Sequence, residues 1–387
     1  MSDAPVARAR AIAPLIAAAA PRIEAGRELP ADVLDALHGA GLFRCLLPRS
    51  FNGEELHPAA HVEMIEAIAM ADASTAWCLG QASGCSMAAA YLKPAISQEI
   101  WGNDSRAVLA WGMGPGSLAT VVDGGYRATG KWRFASGSRH ATWLGGHCNV
   151  RERDGSLRLG IDKKPIERTM LFRKEIASIT DDWQVVGLRG TGSDTYTVSD
   201  LFVPDDFSVC RDTDAERRER GTLYQFSTTN MYASGFAGVA LGIARSALDE
   251  FLALVNVKTP TATTRALRDS PVLHREIALA TARLRAARGL LLDTLRDTWD
   301  AVATRGHMTL DERMEIRLAS TYAIHQAKEV VEITWQEAGA TAIFDTNPFE
   351  RRFRDMHTVT QQVQGRSTHF EAVGQHLLGL TPNLRFI

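Results

Sequence analysis

Residues 109–143 read LAWGMGPGSLATVVDGGYRATGKWRFASGSRHATW and carry several signals of local structure. A loop rich in Gly and Pro leads into an alternating segment at residues 119–122. The turn residues 123–125, Asp-Gly-Gly, separate it from a second alternating segment that begins at Tyr126. Asp-Gly between two alternating segments is a strong signal for a β-hairpin. The sequence therefore predicts a hairpin that ends in a corner of small residues at 135–138.

Three aromatic residues accompany this hairpin: Trp111, Trp132 and Phe134. Next to exposed backbone they suit a flat ring that accepts and donates hydrogen bonds. The alternative is that they are ordinary core aromatics, since ligand pockets are few in any protein. The spacing alone leaves both interpretations open.

Composition narrows the classes of function. The chain has 387 residues, enough for two or three domains, with 45% hydrophobic and 23% charged residues. A formal net charge of -2 gives no electrostatic footprint for nucleic acid or an acidic membrane surface. We therefore expect a globular protein with neither nucleic acid nor membrane as a partner.

The cysteines and the N-terminus indicate a cytoplasmic protein. The five cysteines contain no C-x-x-C pair, which argues against a disulfide framework or a zinc site and fits a reducing compartment. Arg8 and Arg10 interrupt the apolar N-terminal segment, which favours an amphipathic helix over a signal peptide. No stretch approaches the roughly 20 apolar residues of a membrane span.

The periodicity divides the chain into three predicted domains. Residues 1–108 have helical spacing, residues 109–215 have the period of two that is typical of short strands, and residues 216–387 return to long helices. Within the middle part we expect strands at 143–150, 157–161, 169–172 and 195–203, and an exposed charged connection at 205–219. The long C-terminal helices predict a four-helix bundle.

This order of domains, together with several motifs, resembles the acyl-CoA dehydrogenase superfamily over essentially the whole chain. The motifs are GLF at 41–43 with Pro48, ASTAW at 73–77, the hairpin at 125–137 with Trp143, GLRGTGS at 187–193 and PFERRFRD at 348–355. Residues 134–137 and 351–357 are most similar to the two-component flavin-dependent monooxygenases of that fold. Those enzymes take reduced flavin from a separate reductase and hydroxylate aromatic or similar substrates.

The resemblance implies a mainly α fold with a central β-barrel domain, a cofactor and a set of site residues. The cofactor would be FAD or FMN, supplied in its reduced form. The aromatic ring of Phe134 would lie against the flavin ring, and the hydroxyl of Ser136 would form a hydrogen bond near flavin N5. The residues implied in cofactor binding are Trp111, Gly112, Ser117, Phe134, Ser136, Arg189, Thr191 and Ser193, and no metal ligand is implied.

Two positions depart from the pattern of the monooxygenases. Gln362 and Cys85 stand where those enzymes usually carry histidines, and Val363 stands where the dehydrogenases carry a catalytic Glu. Glutamine has no titratable proton, so Gln362 can orient a substrate but cannot take its proton. We therefore place Gln362 among the catalytic candidates and both Gln362 and Cys85 in the substrate pocket.

Histidines elsewhere can supply the missing acid or base, because imidazole titrates near neutral pH. His140 follows the predicted flavin corner, and His357 follows Arg354-Asp355, for which we expect a structural ion pair. We take His140 and His357 as catalytic candidates beside Ser136, and Arg139 as a pocket residue. For His369 we expect a structural role.

The leading hypothesis is a flavin-dependent monooxygenase for a small apolar or aromatic substrate. The first rival is an FAD-dependent dehydrogenase that acts on an acyl-CoA with a relocated base. The second is a flavin-binding paralogue without turnover, which the missing Glu and His keep open. The resemblance also implies a separate flavin reductase and a homotetramer, for which the apolar segment 235–243 is a candidate subunit contact.

Overall fold

The computed structural model describes residues 4–160, 162–211, 214–261, 263–384 and 386–387. Helices fill the N-terminal part, strands fill the middle, and long helices fill the C-terminal part. The predicted fold class, mainly α with a central β domain, is confirmed. The exact domain limits at 108/109 and 215/216 stay predictions.

The helices begin and end close to the positions that their sequence signals predict. The Asp72 carboxylate accepts a hydrogen bond from the backbone N–H of Thr75 at 2.7 Å, as expected of an N-cap residue. In chain order, the helices are α1 (Ala4–Gly26), α2 (Ala31–Gly39), α3 (Pro58–Ala71), α4 (Ala73–Ser86), the single turn α5 (Pro94–Ser97), α6 (Thr228–Val257), α7 (Pro271–Arg305), α8 (Leu310–Ala338), α9 (Pro348–Gln361) and α10 (Thr368–Leu377).

The strands form one sheet with the order β6-β7-β3-β2-β4-β5-β8, and β1 pairs in parallel with β4. The predicted hairpin is confirmed as β2 and β3, which meet at the pair Val122 and Gly125. The strands are β1 (Leu109–Trp111), β2 (Leu118–Val122), β3 (Gly125–Trp132), β4 (Trp143–Arg151), β5 (Glu167–Arg173), β6 (Ser178–Thr180), β7 (Thr195–Pro204) and β8 (Ser208–Val209).

Two predictions for the middle part need correction. Residues 157–160 form isolated bridges from Leu157 and Leu159 instead of a strand, and residue 161 lies outside the described residues. Residues 205–219 are not an exposed connection throughout, because β8 pairs with β5 and Val209 is only 1% exposed. Two-residue strands such as β8 are too short to show a period in the sequence.

The small-residue face of α6 packs inside the chain. A Cβ atom on Gly242 would lie 2.5 Å from the Cβ of Ala69 and 2.5 Å from the backbone oxygen of Glu66, both on α3. The segment 235–243 is buried throughout. This face is therefore an internal helix contact, and our prediction that it serves as a subunit contact is wrong.

The loop at residues 183–194 is fastened to the C-terminal bundle. The backbone N–H of Leu188 donates to the carboxylate of Asp355 on α9 at 2.6 Å. Arg354 pairs instead with Glu350 and, at 2.6 Å, with Glu24. The predicted Arg354–Asp355 ion pair is therefore wrong, because adjacent residues on a helix point in different directions. The Asp355 bond holds this loop beside the corner at residues 134–138.

Candidate functional site

The corner after β3 presents an aromatic ring to the outside. Phe134 has φ of 60°, an uncommon backbone conformation for a bulky residue. Its side chain is 58% exposed. Its ring is nearly perpendicular to the Trp183 ring, with 6.2 Å between the two ring centroids. Strain of this kind concentrates at functional sites. The corner therefore displays a flat apolar surface instead of burying it.

A chain of hydroxyl groups begins directly behind that ring. Ser136 is 7% exposed, and its Oγ accepts a hydrogen bond from the indole Nε1–H of Trp77 at 3.0 Å. The Oγ atoms of Ser136 and Ser193 lie 2.7 Å apart, and Ser193 Oγ lies 2.7 Å from Thr191 Oγ1. Thr191 in turn donates to the backbone oxygen of Leu188 at 2.9 Å.

The proton of each hydroxyl in this chain has one direction. Because Thr191 donates to a carbonyl oxygen, Ser193 must donate to Thr191, and Ser136 must then donate to Ser193. Ser136 is the end of the chain, so its proton can turn to another acceptor without breaking the bonds of Thr191. The arrangement supplies one adjustable donor beside the exposed ring of Phe134.

A second cluster lies where α4, α6 and β1 meet. The Sγ of Cys85 lies 3.4 Å from the phenol oxygen of Tyr232, and both groups lie beside Trp111. Burial raises the pKa of the Cys85 thiol to about 12 and raises the pKa of the Tyr232 phenol. Both groups are therefore neutral at physiological pH. Cys85 is a small wall residue here and not an activated thiolate.

Stacked aromatic rings connect the two clusters. The rings of Trp77 and Phe236 are 3.9 Å apart and nearly parallel, at 15°. The rings of Phe236 and Tyr232 follow at 6.0 Å and 20°. An apolar wall therefore runs from the hydroxyl of Ser136 to the phenol of Tyr232, which suits a flat apolar molecule.

The other predicted cofactor residues occupy varied positions. Gly112 lies so close to the backbone just after β3 that a Cβ would be 2.2 Å from the backbone oxygen of Arg133. The Oγ of Ser117 is buried and has no hydrogen-bond partner among the described residues. Arg189 points away from the corner, with its Nε donating to the oxygen of Val185 at 2.9 Å and Nη1 3.7 Å from Glu24. Their roles in flavin binding stay predictions.

Arg139 and His140 follow the corner but face other groups. The Arg139 guanidinium donates to Asp194 at 2.7 Å and to Asp181 at 2.7 Å, so two carboxylates balance its positive charge. The ring of His140 lies 5.9 Å from that of Phe43, and burial lowers the pKa of His140 to about 3. His140 is therefore neutral at physiological pH. We find neither side chain in contact with the Cys85 cluster within the described residues, and their assignments stay predictions.

The C-terminal candidates lie within the helical bundle. Gln362 caps a short turn, with its Oε1 accepting from the N–H of Gln364 at 2.6 Å. The Nε2 of His357 lies 3.5 Å from Glu332 on α8, and its ring packs on Phe353 at 4.2 Å. His369 is 7% exposed and bonds the backbone oxygen of Val363 at 2.7 Å, a structural contact as expected.

The structure adds site residues that sequence reasoning missed. Trp77 belongs to the ASTAW motif, but only the structure shows that its indole N–H donates to Ser136. Trp183 packs against the ring of Phe134. Arg211 was placed in an exposed connection, whereas its guanidinium carbon lies 4.4 Å from the centre of the Trp111 ring. The tryptophans were the available signal, because Trp in a loop or beside small residues needs a partner for its N–H.

The residues of the corner fit a flavin. A flat heteroaromatic ring needs an apolar surface against its face and a hydrogen-bond donor at its edge. The exposed, strained Phe134 offers the surface, and the buried Ser136 hydroxyl, whose proton can turn to a new acceptor, offers the donor. Among the described residues, no group of three or more His, Cys, Asp or Glu side chains is arranged to hold a metal ion. No described helix is both long enough and apolar enough to span a membrane.

Comparison with known families agrees with this geometry. Residues 7–98 match the family model described as "Acyl-CoA dehydrogenase, N-terminal domain". Residues 234–365 match the one described as "Acyl-CoA dehydrogenase, C-terminal domain". The two matches flank the sheet, so the helical parts on both sides carry the family pattern.

Similar proteins are flavin-dependent monooxygenases. The chain is 31% identical to indole-3-acetate monooxygenase of Pseudomonas putida over 92% of this chain and 89% of that protein. It is 28% identical to the oxygenase component of the FADH(2)-dependent resorcinol hydroxylase of Rhizobium sp. (strain MTP-10005), over 97% and 94% of the two chains. The crystal structure of 3-HSA hydroxylase from Rhodococcus sp. RHA1 superposes with a TM-score of 0.90 at 25% identity, covering 98% of each chain. The chain belongs to the acyl-CoA dehydrogenase superfamily, in its branch of flavin-dependent monooxygenases.

Proposed function

We propose that this protein is the oxygenase component of a two-component monooxygenase. It takes reduced FAD or FMN from a separate flavin reductase and hydroxylates a small aromatic substrate. The observation that carries the proposal is the buried Ser136 hydroxyl, whose proton is free to turn toward a new acceptor beside the exposed ring of Phe134.

When bound, reduced flavin supplies two electrons to O2, so that one oxygen atom enters the substrate and the other leaves as water. The residues of this chain prepare that chemistry. Phe134 would lie against one face of the flavin ring, and Ser136 would donate a hydrogen bond near N5, while the indole N–H of Trp77 holds the Ser136 oxygen in place. Bulk water promotes the loss of reduced oxygen as peroxide, so an enclosed apolar wall protects the reaction.

The apolar wall suits an aromatic substrate. Trp111, Tyr232 and Cys85 are neutral at physiological pH and surround the end of the wall that lies farthest from Ser136. The similar proteins from Pseudomonas putida and Rhizobium are named for indole-3-acetate and resorcinol, both of which are aromatic. A ring of that size could lie along the stacked rings of Phe236 and Tyr232.

The dehydrogenase rival lacks its base. Val363 occupies the position of the usual Glu, and the side chain of Gln362 is engaged in capping a turn. Neither residue can take a proton from an acyl-CoA. The reaction of a reduced flavin with O2 needs no such base, which favours the oxygenase.

The proposed assembly is a homotetramer, as in the family that the chain resembles. The candidate surface has to change, because segment 235–243 is internal. Leu377 and Leu378 at the end of α10 are 76% and 77% exposed, and Leu380 is 58% exposed. Contiguous exposed apolar side chains of this kind mark contact surfaces.

A single-turnover experiment with isotopically labelled oxygen tests the function. The protein is mixed anaerobically with photoreduced FAD or FMN and with indole-3-acetate or resorcinol, and then exposed to ¹⁸O₂. We expect one ¹⁸O atom in the aromatic product. Tightly retained oxidised FAD that an acyl-CoA reduces would support the dehydrogenase instead, and flavin binding without either reaction would identify a paralogue without turnover.

A further inference from the structure

The guanidinium of Arg211 lies at the far end of the apolar wall, and among the described residues part of its charge has no partner. Its carbon Cζ lies over the ring of Trp111 at 4.4 Å, an ordinary cation–π distance. Its Nη1 atom is buried and makes no hydrogen bond to any residue that the structure describes. Within the described parts of the chain, no ion pair joins Arg211 to a carboxylate. A buried cationic donor without an acceptor is costly and calls for an explanation.

The groups around Arg211 do not supply the missing negative charge. The Cys85 thiol stays protonated because burial raises its pKa to about 12. Burial also keeps the Tyr232 phenol protonated, and it lowers the pKa of His147 to about 3, so that His147 is neutral. The ring of His147 lies 5.2 Å from that of Trp111, and its Nδ1 bonds the hydroxyl of Thr169 at 2.7 Å. The side chains of Cys85, Tyr232 and His147 next to Arg211 in this cluster are therefore neutral.

Two other arginines of the same region, Arg217 and Arg168, each pair with a carboxylate. Arg217 donates through Nη1 to Asp214 at 2.9 Å and to the backbone oxygen of Tyr224 at 3.1 Å. Arg168 bonds Glu216 at 2.5 Å and the hydroxyl of Ser208 at 3.1 Å. The lack of a carboxylate partner among the described residues therefore distinguishes Arg211 from these two neighbours.

We propose that Arg211 is the anion subsite of the substrate pocket, so that the preferred substrate is a small aromatic carboxylic acid. The acid group would take the free Nη1 donor, and the aromatic ring would lie along Tyr232 and Phe236 toward Ser136. A hydrogen bond between an ionised donor and an ionised acceptor is stronger than a neutral one, and in an enclosed site it also fixes orientation. The proposal rests on the proposed function, which assigns the flavin to the Ser136 end of the apolar wall.

A binding measurement without oxygen separates this inference from the proposed function. Titration calorimetry under anaerobic conditions follows phenylacetate and 1-naphthylacetate, each beside its neutral amide, on the protein loaded with reduced flavin. We expect each acid to bind about ten- to a hundredfold more tightly than its amide, the range of a hydrogen bond to a charged group. An acid preference without hydroxylation would uphold the subsite while the oxygenase proposal fails.

Variants identify the group responsible. Arg211→Met keeps the length and removes the charge, so it should abolish the preference for the acid while leaving amide binding nearly unchanged. Arg211→Lys keeps the charge and should retain part of the preference, and Arg217→Met, the matched control, should retain all of it. Melting curves check that each variant is folded. Equal binding of acid and amide to the unmodified protein, no binding of any acid at millimolar concentration, or an undiminished preference in Arg211→Met would overturn the proposal.

Discussion

Replacing Ser136 by Ala removes the adjustable donor and leaves the surrounding side chains in place. The Trp77 indole N–H would lose its acceptor at 3.0 Å. Ser193 would keep its own acceptor, because it donates to Thr191 at 2.7 Å. The change therefore leaves one buried donor unpaired, and a buried unpaired donor costs about 1–3 kcal/mol. We expect the free energy of unfolding to fall by that amount, with the fold retained.

The functional loss should be larger than the stability loss suggests. In the proposed function the Ser136 hydroxyl is the hydrogen-bond donor near flavin N5, and Ser136→Ala removes that donor. Removing one preorganised donor from an enclosed site costs about a hundredfold or more in rate in well-studied enzymes. We expect the fraction of reduced flavin that yields hydroxylated product to fall at least about tenfold, with hydrogen peroxide released in its place.

Ser138→Ala is the matched control two residues away. Its Oγ donates to the backbone oxygen of Gly192 at 3.1 Å and is fully buried. Gly192 keeps a second donor, the N–H of Asp194 at 2.7 Å, so this variant should lose only about 0.5–1.5 kcal/mol. Urea unfolding gives the stability of each variant, and peroxide and product yields give the coupling. Equal coupling in the two variants would refute the assigned role of Ser136.

Two further predictions concern the scaffold. Burial raises the pKa of Asp355 from 3.8 to about 7, so the native state holds a proton that the unfolded state has released between about pH 4 and 7. The free energy of unfolding of the unmodified protein should therefore fall as pH rises through that window, by up to about 1.4 kcal/mol per pH unit. Asp355→Asn lacks this titration, so urea titrations should show its free energy of unfolding rising relative to that of the unmodified protein by the same amount per pH unit. A constant difference across pH would contradict this. Gly242→Ala forces a Cβ to 2.5 Å from that of Ala69 and should cost about 1–3 kcal/mol, whereas Gly289→Ala on α7, with open space around its Cβ, should gain about 0.5–1 kcal/mol. Equal melting temperatures for Gly242→Ala and Gly289→Ala would contradict the claim that the close contact between α6 and α3 stabilises the fold.

Local chemistry explains what the sequence could predict. The turn at 123–125 and the cap at Asp72 depend on neighbouring residues, and both are present. The corner at Phe134 and Ser136 follows the hairpin directly, so its position could be predicted as well. The resemblance to the superfamily then predicted the flavin cofactor, because several motifs in a fixed order identify a family more specifically than one motif does.

Contacts between distant segments could not be predicted. Ser136 and Ser193 are 57 residues apart, and only the fold brings their hydroxyls within 2.7 Å. Arg211 lies in a charged segment whose composition is typical of an exposed connection, yet tertiary packing places it on Trp111. The apolar face of α6 has the same pattern whether it contacts α3 or another subunit, which is why that prediction failed.

The most direct test of the central claim follows the flavin spectrum in an anaerobic stopped-flow instrument. The protein is loaded with reduced FAD or FMN and then mixed with oxygenated buffer, with free flavin and the Ser136→Ala variant run beside it. We predict that bound flavin returns to its oxidised spectrum more slowly than free flavin, through a distinct spectral phase that the Ser136→Ala variant shortens. Reoxidation at the rate of free flavin, with or without Ser136, would contradict the account.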